Sequence, residues 1–252
     1  MSKVCLVTGG SRGIGAAVCR LAARDGYDVA IVWRKEEARA RAVLGQVEAA
    51  GRRGITLQAD ICDERQVEAM FDRTEQELGA VDALVSNGGI IHEAGPLADL
   101  DVAVIRRVVE TDLVAHLICN REAVRRMSTR RGWAKGGKGG VIVNISSRAS
   151  ELFGAGGFVP YAAAKGGIDV LTIGLGRDAG PDGVRVAGLR PGLIDTDMQN
   201  DTGIADRIAK GGPTVPIGRA GTPEEVAEAV VWLLSDKARY VTGTVFDVAG
   251  GR

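Results

Sequence analysis

Tyr161 and Lys165 stand four residues apart in Tyr-Ala-Ala-Ala-Lys, at the opening of a helix-forming run. That spacing puts a phenol and an ammonium on one helical face. A phenol near its ordinary pKa of about 10 is a poor proton shuttle at neutral pH. A neighbouring cation favours the phenolate, which suits the pair to giving or taking a proton. The chain has only three tyrosines, so a chance Tyr/Lys pair facing a site would be uncommon, although an ordinary amphipathic helix can carry one. Ser146 and Ser147 lie just past a Val/Ile run. Either hydroxyl there could hydrogen-bond a substrate oxygen, or simply close a turn.

A second group of residues suits an anion. Thr8-Gly9-Gly10-Ser11-Arg12-Gly13-Ile14-Gly15 joins an apolar run to an Ala-rich helical stretch. Glycines at 9, 13 and 15 let the backbone turn tightly and approach a pyrophosphate, and the helix start offers it free N–H groups. The next apolar run ends Ile31-Val32-Trp33-Arg34-Lys35, with no acid before Glu36. A carboxylate at that place binds ribose hydroxyls, whereas a cation accommodates a 2′-phosphate. Arg34 and Arg12 therefore favour NADP(H) over NAD(H).

These residues need a scaffold, and the apolar patterning supplies one. Residues 4–7, 28–32, 55–58, 83–85, 141–145, 184–189 and 244–248 read as short buried strands. Between them, 16–24, 38–50, 65–78 and 102–127 show helical spacing. Thr222-Pro223-Glu224-Glu225 is a helix start, with a Thr cap, Pro in the first turn and acids at the positive end. The alternation predicts an α/β fold: a doubly wound parallel sheet (Rossmann fold) of about seven strands, helices on both faces, in one domain spanning residues 1–252. Two segments break the rhythm. Residues 130–140 form a basic, Gly-rich loop, and residues 199–221 form a polar stretch after the sixth strand, placed as a lid.

Bulk properties exclude other classes. Lys+Arg and Asp+Glu are both 32, a net charge of +0, so no global field attracts nucleic acid or an acidic membrane. Cys5, Cys19, Cys62 and Cys119 are scattered in apolar contexts and read as reduced thiols. His92 and His116 are the only histidines, and no metal-ligand cluster is expected. The chain enters a strand at once, no apolar run spans a bilayer, and a cytoplasmic location is the expectation.

Taken together, the sequence closely resembles the compact, single-domain branch of the short-chain dehydrogenase/reductase family over essentially all 252 residues. The matching segments are TGGSRGIG (8–15), Asp60-Ile61, SNGG (86–89), NISS (144–147), YAAAK (161–165), RPGLIDTDM (190–198) and the glycines near the end. Within the family it is most similar to 3-oxoacyl-thioester reductases and glucose-type sugar dehydrogenases. The resemblance implies an NADP(H)-dependent oxidoreductase that interconverts a carbonyl and a secondary alcohol. Tyr161 would then move the proton, Lys165 would hold the nicotinamide ribose and lower the tyrosine pKa, and Ser147 would orient the carbonyl. Asp60 and Ile61 would meet the adenine, while Asn87, Gly88 and Gly89 would line the adenosine side. Pro191, Gly192, Ile194 and Thr196 would cradle the nicotinamide. A homo-tetramer is implied by the same likeness.

The chain departs from the family pattern in three places. Asp112, in Thr111-Asp112-Leu113-Val114, replaces a usual Asn; Ala187 replaces another; and the interval from Ser147 to Tyr161 is one residue longer than usual. Asp112 bears on mechanism. Ionised, it would stabilise the Lys165 ammonium and oppose the lowering of the Tyr161 pKa. Protonated, it would mimic an asparagine. His92, Glu93, Ser150, Phe153, Leu193 and the 199–221 lid are expected to shape the substrate pocket, whose substrate is a small carbonyl or alcohol, or an acyl thioester. Arg130, Arg131 and Arg177 offer a docking surface for an acidic carrier protein. The competing class is a nucleotide-binding protein without turnover, acting as redox sensor or assembly component.

Overall fold

Runs of Val, Ile, Leu and Ala without an alternating polar face suit strands covered on both sides. The computed structural model, which describes residues 2–130 and 137–252, joins them in one parallel sheet. Its strands are β1 (Lys3–Thr8), β2 (Tyr27–Trp33), β3 (Gly54–Gln58), β4 (Ala83–Ser86), β5 (Gly140–Ile145), β6 (Val184–Pro191) and β7 (Thr244–Val248). All seven expected strands are present. The helices are α1 (Gly13–Arg24), α2 (Glu37–Ala49), α3 (Glu64–Glu77), α4 (Val102–Val109), α5 (Ala115–Met127), α6 (Val159–Asp178), α7 (Arg207–Gly211) and α8 (Pro223–Leu234).

The period of two along each strand divides the core. From β1, Cys5 and Val7 pack with α1, α2 and α8, while Val4 and Leu6 pack with α3 and α5 on the opposite face. The four cysteines are free thiols. Cys5, Cys19 and Cys119 are buried, and burial pushes Cys5 and Cys119 up to about 12. At the start of α8, the Thr222 hydroxyl accepts the Glu225 N–H, and the Glu225 carboxylate accepts the Thr222 N–H at 2.8 Å. This reciprocal pair satisfies two orphan donors.

One helical expectation needs correction. Residues 102–127 do not form a uniform α-helix: α4 passes through a π-helical turn, Glu110–Val114, before α5. Such turns widen the backbone ladder by one residue and recur at functional sites. Asp112 sits within it.

The strand order β3-β2-β1-β4-β5-β6-β7 reverses direction between β1 and β4. Ligands of doubly wound sheets bind at the carboxyl ends of strands beside such a reversal. Among the described residues, no helix is long and apolar enough to cross a membrane, and no group of three or more His, Cys, Asp or Glu could hold a metal ion.

Candidate active site

The reversal point opens into a cleft of about 330 Å³. Its floor is the turn after β1, where Gly9 (φ +65°) and Gly13 (φ +53°) take left-handed conformations that other residues rarely adopt. Gly15 is needed for a different reason. A Cβ there would overlap the Gly9 carbonyl oxygen and come within 2.7 Å of Asn87 Nδ2. Arg12 occupies the N-cap of α1 without a side-chain cap bond, so the first N–H groups of α1 stay available to an anion in the cleft. The Thr8 hydroxyl accepts the N–H groups of Asn87 (2.9 Å) and Gly88 (3.0 Å), tying the end of β1 to the loop after β4. This cradle fits a dinucleotide diphosphate.

Gly9, Ser11, Arg12, Gly13, Ile14, Arg34, Asp60, Ile61, Asn87, Gly88, Gly89 and Thr196 all line this cleft. Arg12 lies 3.8 Å from Asp201, and Arg34 lies 3.6 Å from Asp60. All four side chains are substantially exposed, so an arriving phosphate could compete for either guanidinium. Trp33 and Lys35 also line the cleft and had not been singled out. Their place at the end of β2, where Trp33 closes the strand and Lys35 follows it, was the available signal.

A second cavity, of about 90 Å³, adjoins the first, and Met198 lines both. Ser147 and Tyr161 share its wall. The two serines separate here. Ser146 donates its hydroxyl to the Lys165 carbonyl (3.0 Å) and is buried. Ser147 accepts the Ala149 N–H at 3.1 Å, and its hydroxyl is hydrogen-bonded to the Tyr161 phenol, a contact that favours the phenolate. Behind Tyr161, Lys165 is buried with Nζ donating to the Ile145 carbonyl at 3.1 Å. Its ammonium stands 5.6 Å from the Tyr161 ring centre.

Asp112 is fully buried against this lysine. Oδ1 lies 3.6 Å from Lys165 Nζ and accepts the Ile90 N–H at 3.1 Å, while Oδ2 has no hydrogen-bond partner among the described residues. Burial raises its carboxyl to about 6, against the opposing pull of Lys165 and Ile90. The carboxylate fits because residue 89 is glycine; a Cβ there would come to 2.5 Å from Oδ1. Lys165 was expected to bring the Tyr161 pKa down. Its pull is downward, but burial outweighs it, Asp112 adds a further upward push, and the phenol is raised. His116 lies one helical turn after Asp112 and has no role in the site on sequence grounds. Its Nε2 donates to the Gly88 carbonyl (2.8 Å) and Nδ1 accepts from Ser86 (3.0 Å). Burial, reinforced by Lys165, lowers it to about 3, so it braces the loop after β4 as a neutral ring.

Other expected residues are placed differently. Pro191 and Gly192 line the second cavity, not the cleft, and Ile194 is buried where it bridges to Gly221. Of the residues expected to shape the substrate pocket, Leu193 lines it. Phe153 does not: its backbone is left-handed (φ +53°) within a Gly-rich turn, and its ring is 83% exposed. Ser150 is turned back to the Ser147 carbonyl, Glu93 is exposed, and His92 lies against Phe158 with the rings tilted and their centres 5.6 Å apart. From the 199–221 segment, Gln199 and Arg207 reach the cavity. Arg130 and Arg177 are exposed, and Arg131 lies outside the described residues. Ala187 is simply a buried residue of β6.

Comparison with known proteins accords with this geometry. Residues 9–252 match a family model described as enoyl-(acyl carrier protein) reductase. The chain is 45% identical to the uncharacterized oxidoreductase YgfF of Escherichia coli (strain K12), over 99% of each chain. It is 40% identical to the cis-4-hydroxycyclohexanecarboxylate dehydrogenase of Sinomonas cyclohexanicum, covering 99% of this chain and 96% of that one. Among solved structures, a short-chain dehydrogenase from Burkholderia cenocepacia J2315 in complex with NADP superposes with TM-score 0.89 at 36% identity, over 99% and 97% of the two chains. A 3-ketoacyl-(acyl-carrier-protein) reductase from Brucella melitensis complexed with NADH gives TM-score 0.89 at 28% identity, over 99% and 98%.

Proposed function

We propose, because this chain belongs to the short-chain dehydrogenase/reductase family, that it interconverts a carbonyl group and a secondary alcohol with NADP(H). The observation that carries this reading is the Ser147–Tyr161 pair on the wall of a cavity that adjoins the diphosphate cradle. The nicotinamide, when bound, supplies or accepts the hydride. The remaining work falls to the protein. Ser147, already hydrogen-bonded to the Tyr161 phenol, turns its hydroxyl to the substrate oxygen and fixes it beside Tyr161. Tyr161 gives its phenolic proton to that oxygen in reduction and takes it back in oxidation. Lys165, held by the Ile145 carbonyl and Asp112, stabilises the phenolate left behind.

Two hydroxyls meeting at one point suit a carbonyl oxygen better than a carbon–carbon double bond, which offers them no acceptor. This favours ketone chemistry over the enoyl reduction named for the family model. The relative named for a hydroxycyclohexanecarboxylate points the same way. Neighbours carry NADP in one case and NADH in another. Arg12 and Arg34 in the cleft support NADP(H) for this chain. The test is NADPH oxidation followed by absorbance against a panel of ketones. Turnover of some members is expected. Tight NADPH binding with no turnover across the panel would instead favour a sensor or assembly role.

Asp112 should be visible in the pH profile. Above about pH 6 its carboxyl is ionised and raises the Tyr161 pKa. For alcohol oxidation Tyr161 must first lose its proton, so the wild-type apparent pKa should exceed that of Asp112→Asn. Below about pH 6 the carboxyl is protonated and the two profiles should converge. Asp112, Lys165 and Tyr161 titrate as a set, and the measured values belong to the set. Superimposable profiles of kcat/KM for oxidation would show that the carboxyl stays neutral.

A further inference from the structure

The cavity beside Tyr161 is apolar along Leu152, Phe158, Leu193 and Met198, yet three arginines reach it and no acidic side chain lines it among the described residues. Two of the arginines differ sharply in what they already hold. Arg148 is occupied: its guanidinium pairs with Asp247 at 3.1 Å and donates to the main-chain oxygen of Arg252 at 2.8 Å. Arg207 has no ion pair and no hydrogen bond among the described residues, and its buried Nη1 is without a partner. It is half-buried, with its guanidinium 4.7 Å over the Phe158 ring. Burial, with repulsion from the nearby Arg252 charge, lowers its pKa against an upward pull from Tyr161.

A half-buried cation facing another cation, with no ion-pair partner within 4 Å among the described residues, is an expensive arrangement unless a ligand completes it. The stacking on Phe158 offsets part of the cost but satisfies none of the five N–H donors. The backbone also commits to the position. Asp206, immediately before, takes a left-handed conformation (φ +54°) unusual for a residue with a side chain, and the chain turns there to bring Arg207 to the cavity. Arg207 is near enough to the reacting phenol for its charge to lower the Tyr161 pKa.

We infer that the substrate is an oxo-carboxylate or its hydroxy-carboxylate partner, with Arg207 as the residue that binds the carboxylate. The substrate oxygen would lie at Ser147 and Tyr161, the carbon body along the apolar wall, and the carboxylate on the planar guanidinium fork, which matches it in a two-point contact. A carboxylate suits a single free guanidinium and a cavity of about 90 Å³ better than a bulkier phosphate dianion does. This rests on the carbonyl–alcohol reading above.

The test uses straight-chain and cyclic oxo-carboxylates of increasing carbonyl-to-carboxylate separation, each paired with its methyl ester. In the wild type the best acid should exceed its ester in kcat/KM by about tenfold or more, the scale of a hydrogen bond to a charged group. The difference should appear mainly in KM. Arg207→Met, which keeps bulk against Phe158 but removes the charge, should abolish that preference. If this variant does not fold, Arg207→Gln carries the same comparison. Equal use of acids and esters by the wild type, or an unchanged preference in a folded variant, would overturn the inference and leave ketone reduction standing. If neither acids nor esters turn over, the reductase reading fails, and calorimetric titration with the same acids decides the site. Binding by wild type that Arg207→Met loses supports it; no binding by wild type overturns it.

Discussion

Tyr161→Phe should reduce kcat by roughly 10²- to 10⁴-fold, the range typical of a lost general acid, while leaving NADPH affinity nearly unchanged. The two effects separate because they live on different atoms. The phenolic oxygen lies on the cavity wall beside Ser147, whereas the ring packs in a cluster with Val108 and Phe158 that phenylalanine preserves. Lys165 keeps its bond to the Ile145 carbonyl and its pairing with Asp112 in the variant, since neither involves the phenol. The raised Tyr161 pKa adds a directional expectation. The phenol is protonated at neutral pH and ready to act as an acid, so reduction should decline only as pH rises through its titration. Oxidation, which needs the phenolate, should rise over the same interval. Steady-state kinetics with a ketone substrate and a fluorescence titration with NADPH check both halves. A variant that kept wild-type kcat would remove Tyr161 from the reaction.

Arg34→Ala should raise KM for NADPH and leave NADH kinetics alone. A hydrogen bond to a charged group contributes roughly 1.5–3 kcal/mol, or about 10- to 150-fold. Two local features place the effect toward the lower end. The Arg34 side chain is 46% exposed, so salt screens its attraction for a phosphate, and Asp60 at 3.6 Å competes for the guanidinium. The NADPH preference should accordingly weaken as salt is added. Turnover should change little, because the end of β2 is remote from Ser147 and Tyr161. An equal loss with both dinucleotides would show that Arg34 supports the cleft without reading the 2′-phosphate.

The expectations that held depend on local rules. Strands 4–7 and 83–85 could be placed because short uninterrupted apolar runs have few alternatives in a chain of alternating helices. The glycine turn that floors the cleft was readable for a similar reason. Gly9, Gly13 and Gly15 answer to backbone geometry within a single turn, and Arg34 sits at a fixed distance past a strand.

The substrate cavity was much less legible. Phe153 looked like a pocket residue from its place in the chain, but Gly154, Gly156 and Gly157 give that loop several left-handed positions, and no local pattern says which way its ring turns. Arg207 lies in a polar segment with no periodicity, more than forty residues from Tyr161 in sequence, and only the folded chain brings it over Phe158. The electrostatics of the site were decided later still. The spacing of Tyr161 and Lys165 gave the sign of their interaction but not the balance with burial. Asp112 was visible as an odd residue, but its carboxyl near 6 depends on how completely α5, the Gly89 backbone and Lys165 enclose it. Amino-acid sequence alone determined the fold and the glycine turn after β1, because turn and strand preferences act between near neighbours. Tertiary structure decided the substrate pocket and the protonation of its charged groups, because desolvation is a property of everything that surrounds a side chain.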